Sequence, residues 1–268
     1  MREAEQASPF LHTARCPTML PRSMYSVLGL LGMLIAAQAT ASISLSATRV
    51  VFDGAHKEAN VTVRNGNQEV LVQSWVDSGE SELAQVPFAI TPPLARVLPK
   101  QEQLLRILYE GQGLPTDRES VVWLNVQEIP QASGQANTLQ LAVRQRIKIF
   151  FRPANLPGNA LLAPEQLLWQ IIPNGDKAQL TVKNPSLYHV SMADIEVKSG
   201  KKTLFSADST MIAPGVQKTF TSSLTPAQST MTLTFKNIND YGAQHKYSVQ
   251  LNTTQPANAK PAETTIAF

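Results

Sequence analysis

The segment from Thr138 to Pro153, TLQLAVRQRIKIFFRP, concentrates side chains that could bind a partner. Side chains two apart in an extended strand share a face. This spacing forms an apolar row of Leu139, Leu141 and Val143 and a basic row of Arg144, Arg146 and Lys148. Guanidinium and ammonium groups bind carboxylates and phosphates. The segment therefore predicts a strand that contacts another molecule, because a closed monomer alone explains neither row easily.

Outside this segment, the sequence shows few residues in a pattern that could support catalysis or metal binding. His56, His189 and His245 are isolated in sequence, without ligand spacing, and no nucleophile elbow, phosphate-binding glycine loop or dinucleotide fingerprint occurs. We expect no enzyme activity, cofactor, metal or nucleotide. Carboxylates that meet only in the fold, as in glycoside hydrolases, remain an alternative that predicts an acidic pair in a cleft.

The first 41 residues have the pattern of a secretory signal peptide. Arg22 precedes an apolar run from Tyr25 to Ala37 that is too short to span a bilayer, and Ala39-Thr40-Ala41 fits a cleavage site. We expect cleavage after Ala41 and export to the periplasm, with translation starting at Met1, Met19 or Met24.

Composition excludes several function classes for the mature chain. Cleavage removes Cys16, so disulfides, zinc–thiolate sites and cysteine nucleophiles are excluded. It leaves 20 basic and 18 acidic residues among 227. Outside residues 144–152 the charges are scattered, which argues against nucleic-acid binding.

Short alternating segments separated by Gly, Pro, Asp and Asn fill the rest of the chain. This pattern predicts an all-β fold of two sandwiches, over residues 42–155 and 156–254. The Pro-rich stretch RPANLPGNALLAP is the expected hinge, and the Pro-, Ala- and Thr-rich residues 255–268 are expected to be a poorly ordered tail.

Several motifs in order and spacing carry a family resemblance. They are SATRVVFDG (46–54), TPPLARV (91–97), LPTDRESVVWLNVQEIP (114–130), the 138–153 segment, NPSLYHVS (184–191) and INDYG (238–242). The mature chain closely resembles the periplasmic pilus chaperones of the chaperone-usher pathway. This resemblance implies two immunoglobulin-like sandwiches in a boomerang arrangement with a cleft between them.

The resemblance also implies roles for named residues. Arg49 and Lys148, here called the anchor pair, would hold the C-terminal carboxylate of a pilus subunit in the cleft. From the pattern alone, Arg49 would instead be a solvated strand charge. Glu119, Arg152 and Asp240, here called the junction network, would fix the angle between the sandwiches, as exposed pairs of small energetic value.

The apolar row, here called the donor row, would complete the open sheet of a pilus subunit. The alternative is that the donor row faces the chain's own core. Lys148 is even-numbered whereas the donor-row residues are odd-numbered, so a regular strand would place them on opposite faces. Either the strand twists or bulges between Val143 and Lys148, or the donor row and Lys148 act on different faces. The short loop 131–137 resembles the short-loop subclass, whereas Leu187 and His189 depart from the Pro and Tyr usual in the family.

The expected function is that of a periplasmic chaperone that binds pilus subunits, prevents their aggregation and delivers them to an outer-membrane usher. The free protein would cap its exposed strand in a dimer. The rival hypothesis is a non-catalytic immunoglobulin-like adhesion or assembly module without pilus subunits as clients.

Overall fold

A computed structural model describes residues 43–79, 86–131, 141–175, 177–224, 231–251 and 255–262, without the side chains of 221–223. The predicted leader, Leu139 and the loop 132–137 lie outside these residues. Strands dominate the described chain, and the prediction of an all-β fold with two sandwiches is confirmed. Within the described ranges, no helix is long and apolar enough to cross a bilayer. These ranges also hold no group of three or more His, Cys, Asp or Glu placed to bind a metal.

The first sandwich contains nine described strands. They are β1 (Ile43–Leu45), β2 (Arg49–Asp53), β3 (Glu58–Asn65), β4 (Val70–Asp77), β5 (Phe88–Thr91), β6 (Leu94–Val97), β7 (Glu102–Tyr109), β8 (Ser120–Pro130) and β9 (Arg144–Arg152). One sheet has the order β1-β3-β7-β5 and the other the order β2-β9-β8-β4-β6. Strands β1 and β2 follow each other closely but join different sheets, so the first described segment connects the two layers.

Alternating apolar residues of both sheets form the core of the first sandwich. Phe52, Phe88, Tyr109 and Phe151 form an aromatic cluster at one end, with ring centroids 4.4–6.1 Å apart. Phe52 belongs to β2 and Phe151 to β9, so this cluster fixes the two strands on which the anchor pair lies.

The second sandwich also has nine described strands. They are β10 (Leu168–Asn174), β11 (Lys177–Lys183), β12 (Val190–Ser199), β13 (Lys202–Ile212), β14 (Gln217–Leu224), β15 (Met231–Ile238), β16 (Gln244–Leu251), β17 (Ala257–Asn258) and β18 (Lys260–Pro261). The sheets have the orders β14-β11-β10-β17 and β13-β12-β15-β16-β18. A 3-10 turn (Ala160–Leu162) and the short helix α1 (Ala163–Gln166) precede β10. Trp169, fully buried, stacks with Phe220 and packs at a tilt against Phe235 in a separate core.

The prediction of a poorly ordered tail is wrong for residues 255–262. Strand β17 pairs with β10 of one sheet, and β18 pairs with β16 of the other. Ala259, between them, is buried in the core, and the Asn258 amide donates to the carbonyls of Glu165 and Leu167. A Pro-rich composition weakens regular structure, but here the backbone finds two open sheet edges and one small apolar site. Residues 263–268 lie outside the described part of the chain.

Candidate functional site

The anchor pair lies on adjacent strands. β2 runs parallel to β9, and the register makes Arg49 the direct partner of Lys148. Both side chains point away from the core of the first sandwich, because Val50 and Ile149, the next residues along, are buried in it. The structure therefore brings together the two cations that sequence analysis placed in one pocket.

Arg49 reaches the second sandwich. Its Nη1 donates a 2.8 Å hydrogen bond to the carbonyl of Ile238, and its guanidinium lies 5.7 Å from the centroid of the Phe150 ring. Nε of Arg49 is buried and has no hydrogen-bond partner among the described residues. A small cavity beside it is lined by Ser191, Asn237 and Asp240, among others, so the guanidinium faces the junction of the two sandwiches.

Neither anchor cation forms an ion pair within the described residues. Burial lowers the pKa of Arg49, and the charge of Asp240 offsets only part of that effect. Burial, and then the charge of Arg49, lower the pKa of Lys148. Two like charges held together and partly out of water favour the arrival of an anion, because an anion would relieve both the repulsion and the desolvation. This pocket is suited to a carboxylate.

The junction network connects the two sandwiches directly. Arg152, at the end of β9, donates from Nε to Glu119 at 2.7 Å and through both terminal nitrogens to Asp240 at 2.7 Å each. Burial alone would lower the pKa of Arg152, but the hydrogen bonds and charges of Asp240 and Glu119 raise it above its ordinary value. A planar guanidinium that binds two carboxylates in fixed directions restricts the angle between the elements that carry them.

The expectation of an exposed network is wrong. The Glu119 side chain is 1% exposed and that of Asp240 is 27% exposed. Exposed ion pairs contribute little, whereas a buried carboxylate that loses its partner is strongly destabilising. The network is therefore an energetic constraint on the junction and not a surface decoration.

His189 is a member of this junction that sequence reasoning missed. Its backbone N–H and its Nδ1 lie 2.9 and 2.8 Å from Oε1 of Glu119, and its ring lies 5.9 Å from that of Phe150. Glu119 is therefore contacted at one carboxylate oxygen by His189 and at the other by Arg152. The signal in the sequence was the departure itself, a histidine where the family usually has Tyr, but its contact with Glu119, 70 positions away, exists only in the fold.

The described members of the donor row are exposed apolar residues. Leu141 is 72% and Val143 48% exposed, although both precede a strand whose later odd-numbered residues, Ile149 and Phe151, are buried in the core. The register between β8 and β9 is continuous from Phe151 to Arg144, without a bulge. Leu141 and Val143 therefore continue the core-facing side of β9, and Lys148 lies on the opposite side.

One edge of β9 is open where the donor row meets it. Among the described residues, β9 pairs with β8 from Arg144 to Phe151 but with β2 only from Lys148 onward. Between Leu141 and Ile147, the backbone therefore has no strand neighbour among the described residues on the edge that faces away from β8. An unpaired edge next to exposed apolar side chains is a template for another strand.

Comparison with known families gives two matches. Residues 42–157 match the N-terminal domain of PapD, described as a pili and flagellar-assembly chaperone. Residues 162–249 match the C-terminal domain of the pili assembly chaperone PapD.

Known relatives agree with these matches. The chain is 39% identical over 224 residues to the probable fimbrial chaperone YadV of Escherichia coli K12, covering 78% of this chain and 90% of that protein. It is 46% identical to the probable fimbrial chaperone LpfB of E. coli O157:H7, over 56% of this chain and 64% of that protein, so it spans less than two thirds of that relative.

Solved structures extend the similarity to the fold. The crystal structure of the YadV chaperone has a TM-score of 0.67 and 37% identity, covering 79% of this chain and all of the other. The SafB chaperone of Salmonella enterica, in complex with the SafA pilin, has a TM-score of 0.61 and 26% identity, covering 84% and 99%.

Proposed function

The chain belongs to the PapD family of pilus-assembly chaperones, and on that premise we propose that it binds pilus subunits by their C-terminal carboxylate and by strand addition. The role is therefore that of a non-enzymatic assembly chaperone. The observation that carries the proposal is the anchor pair, two adjacent cations without a carboxylate partner among the described residues.

The anchor pair would give the client its position. A charge-assisted hydrogen bond to a carboxylate contributes about 1.5–3 kcal/mol. The terminal carboxylate of a subunit occurs once in its chain, so fixing it sets the register of the residues upstream. Arg49 is held against Ile238 of the second sandwich, which supports an anchor with a defined position rather than a mobile surface charge.

The donor row would supply what the client lacks. A client strand could pair with the open edge of β9, and Leu141 and Val143 would then fill an open groove in the client. Full burial of one such side chain contributes about 1.5–3 kcal/mol, before the costs of association are subtracted. Leu139, which completes the row in sequence, lies outside the described residues. No nucleotide is required, since the free energy comes from burial and pairing.

The usher and a second chaperone copy are the remaining partners that we propose. We include the outer-membrane usher as the recipient of the client, and the periplasm as the location. An exposed apolar group on the outer face of the β4-β6-β8 layer, Leu71, Leu94 and Ile129, lies on the face opposite the donor row and would stay accessible during client binding. Two free chaperones could pair their open edges, which gives the self-capping dimer. An adhesion module without clients is the competing function.

Co-purification tests the proposal. The protein is co-expressed in the periplasm with a panel of pilus subunits that includes the SafA pilin, and the subunit that the unaltered protein retains becomes the probe. We expect Arg49→Ala and Lys148→Ala each to lower recovery at least tenfold. Arg64→Ala is the matched control, because Arg64 is an exposed strand arginine paired with Glu102 on the other sheet.

Three outcomes would contradict the proposal or one of its parts. Retention of no subunit by the unaltered protein would favour the adhesion module. Full recovery with both anchor variants would exclude the anchor pair as the carboxylate site. Binding that survives polar replacement of Leu141 and Val143 would exclude the donor row.

A further inference from the structure

Trp123 contacts Lys148 of the anchor pair without belonging to the pair. The register of the outward face places four residues in one row across four strands: Asp77 on β4, Trp123 on β8, Lys148 on β9 and Arg49 on β2. The Nζ of Lys148 lies 5.2 Å from the centroid of the Trp123 ring. The guanidinium of Arg146, one row away on β9, lies 4.3 Å from the same centroid.

The indole ring is itself fixed from two sides. Asp77 accepts hydrogen bonds from Arg146 at 2.6 Å and from the Gly79 N–H at 2.8 Å, so a single carboxylate holds both the cation over the ring and the turn that follows β4. Gly79 has a φ of +63°, and a Cβ built there would lie 2.5 Å from Nε1 of Trp123. The backbone therefore packs directly against the indole, which only glycine permits.

An aromatic ring holds a cation differently from a carboxylate. The ring face attracts an ammonium group within about 6 Å of its centroid but offers no lone pair to its N–H groups. Asp77, the carboxylate in the same row, is occupied by Arg146, Asn125 and Gly79. Lys148 is thus held in place while its charge and its three donors stay available.

We propose that Trp123 is a positioning residue for client binding. It holds the Lys148 ammonium beside Arg49 through a cation–π contact. Asp77, Arg146 and Gly79 brace the indole ring. The inference rests on the proposed function, because it assigns Trp123 a role through the anchor pair. It explains how two like charges stay together without a resident counter-ion. Repulsion between Arg49 and Lys148 would otherwise move the flexible, unbranched lysine chain toward water.

A double-mutant cycle tests the inference. The dissociation constant is measured for the pilus subunit that the unaltered protein retains, with Trp123→Leu, Lys148→Ala and the double variant. We expect Trp123→Leu to weaken binding about 2- to 30-fold, the range of a cation–π contact. In the Lys148→Ala background the same change should have no further effect, because Trp123 acts through Lys148.

Two further variants separate positioning from general damage to the fold. Trp123→Phe keeps an aromatic face and should lose less affinity than Trp123→Leu. Trp75→Leu removes the same residue type from the same sheet, two positions from Asp77 on β4, and should leave client affinity unchanged. The pH profile gives a second readout: the cation–π contact favours the charged form of Lys148, so removing the ring should lower the already lowered pKa of Lys148 further and move the alkaline loss of binding to lower pH.

The outcomes distinguish the inference from the proposed function. If Lys148→Ala leaves client affinity unchanged, the anchor itself fails. If Lys148→Ala weakens binding but Trp123→Leu does not, or if Trp123→Leu has the same effect in both backgrounds, the positioning role of Trp123 is refuted and the anchor stands.

Discussion

Removing the guanidinium of Arg152 should destabilise the protein far more than removing an exposed arginine. Arg152→Met keeps most of the aliphatic chain but deletes the bond to Glu119 and both bonds to Asp240. Glu119 then stays 1% exposed, with His189 as its remaining described partner. The variant leaves a buried carboxylate without its cation.

The magnitude follows from the burial of each partner. Leaving one charge of a buried pair uncompensated costs about 3–5 kcal/mol. Asp240 is 27% exposed and can regain water, so its share should not exceed about 1 kcal/mol. We expect a loss of about 3–5 kcal/mol in the free energy of unfolding. With an m-value of about 2 kcal/mol/M, the urea midpoint falls by roughly 1.5–2.5 M.

Urea denaturation followed by tryptophan fluorescence measures this loss. Arg64→Met is the control, because Arg64 forms a 2.8 Å pair with Glu102 and both side chains are more than half exposed. It should cost at most about 1 kcal/mol. Combining Arg152→Met with Glu119→Gln removes the stranded charge, so the double variant should be less destabilised than the sum of the two single changes.

A midpoint shift for Arg152→Met no larger than that for Arg64→Met would refute the argument. It would mean that Glu119 is not held out of water by the junction. Strict additivity in the double variant would refute the charge explanation while leaving the loss of packing as the cause.

Three further predictions follow from single features of the structure. The double variant Leu141→Ser, Val143→Ser should change the free energy of unfolding by less than about 0.5 kcal/mol, because both side chains are exposed. The same variant should abolish client retention. A large loss of stability would instead show that these side chains pack on their own sandwich. Client affinity should fall as pH rises through the pKa of Lys148, which lies below the ordinary lysine range. Lys148→Arg should remove that decline, because arginine stays charged. Client affinity is measured against pH at constant ionic strength, and the same decline in the arginine variant would contradict the prediction. Gly242→Ala should cost about 1–3 kcal/mol in a urea titration, since φ is +81° and the new Cβ would lie 2.6 Å from Oγ1 of Thr48; a neutral result would show that the two sandwiches separate easily there.

Sequence patterns predicted the residues of the site better than their energetics. Motifs placed Arg49 and Lys148 in one pocket, and the parallel register of β2 and β9 makes them direct partners. Periodicity cannot show burial across a domain junction, since that burial depends on two elements far apart in the chain. Glu119 and Asp240 are 121 positions apart in the sequence, and only the folded junction excludes water from the first of them.

Two features of the structure, the contact between Trp123 and Lys148 and the strands of the tail, could not be predicted from the sequence, for different physical reasons. Trp123 occupies an ordinary alternating strand, where an aromatic residue predicts packing, and its contact with Lys148 requires the register of two strands. The tail residues 257–261 carry a composition typical of disorder, but two sheet edges offer them backbone partners. In both cases the deciding information is the position of a neighbouring strand.

The uninterrupted register of β9 explains how one strand could serve two different contacts with a client. Even-numbered positions point outward, which places Lys148 and Arg152 toward the junction, whereas odd-numbered positions continue the core side, which places Val143 on the face that a client groove would cover. A bulge between these positions would turn the donor row and the anchor to the same face, and a carboxylate held at Lys148 would then meet the strand from the wrong side. In the proposed client complex, the continuous ladder with β8 and the bracing of Lys148 by Trp123 would therefore have the same consequence: the anchor would fix where a client chain ends, and the strand direction would fix which of its upstream residues reaches Val143.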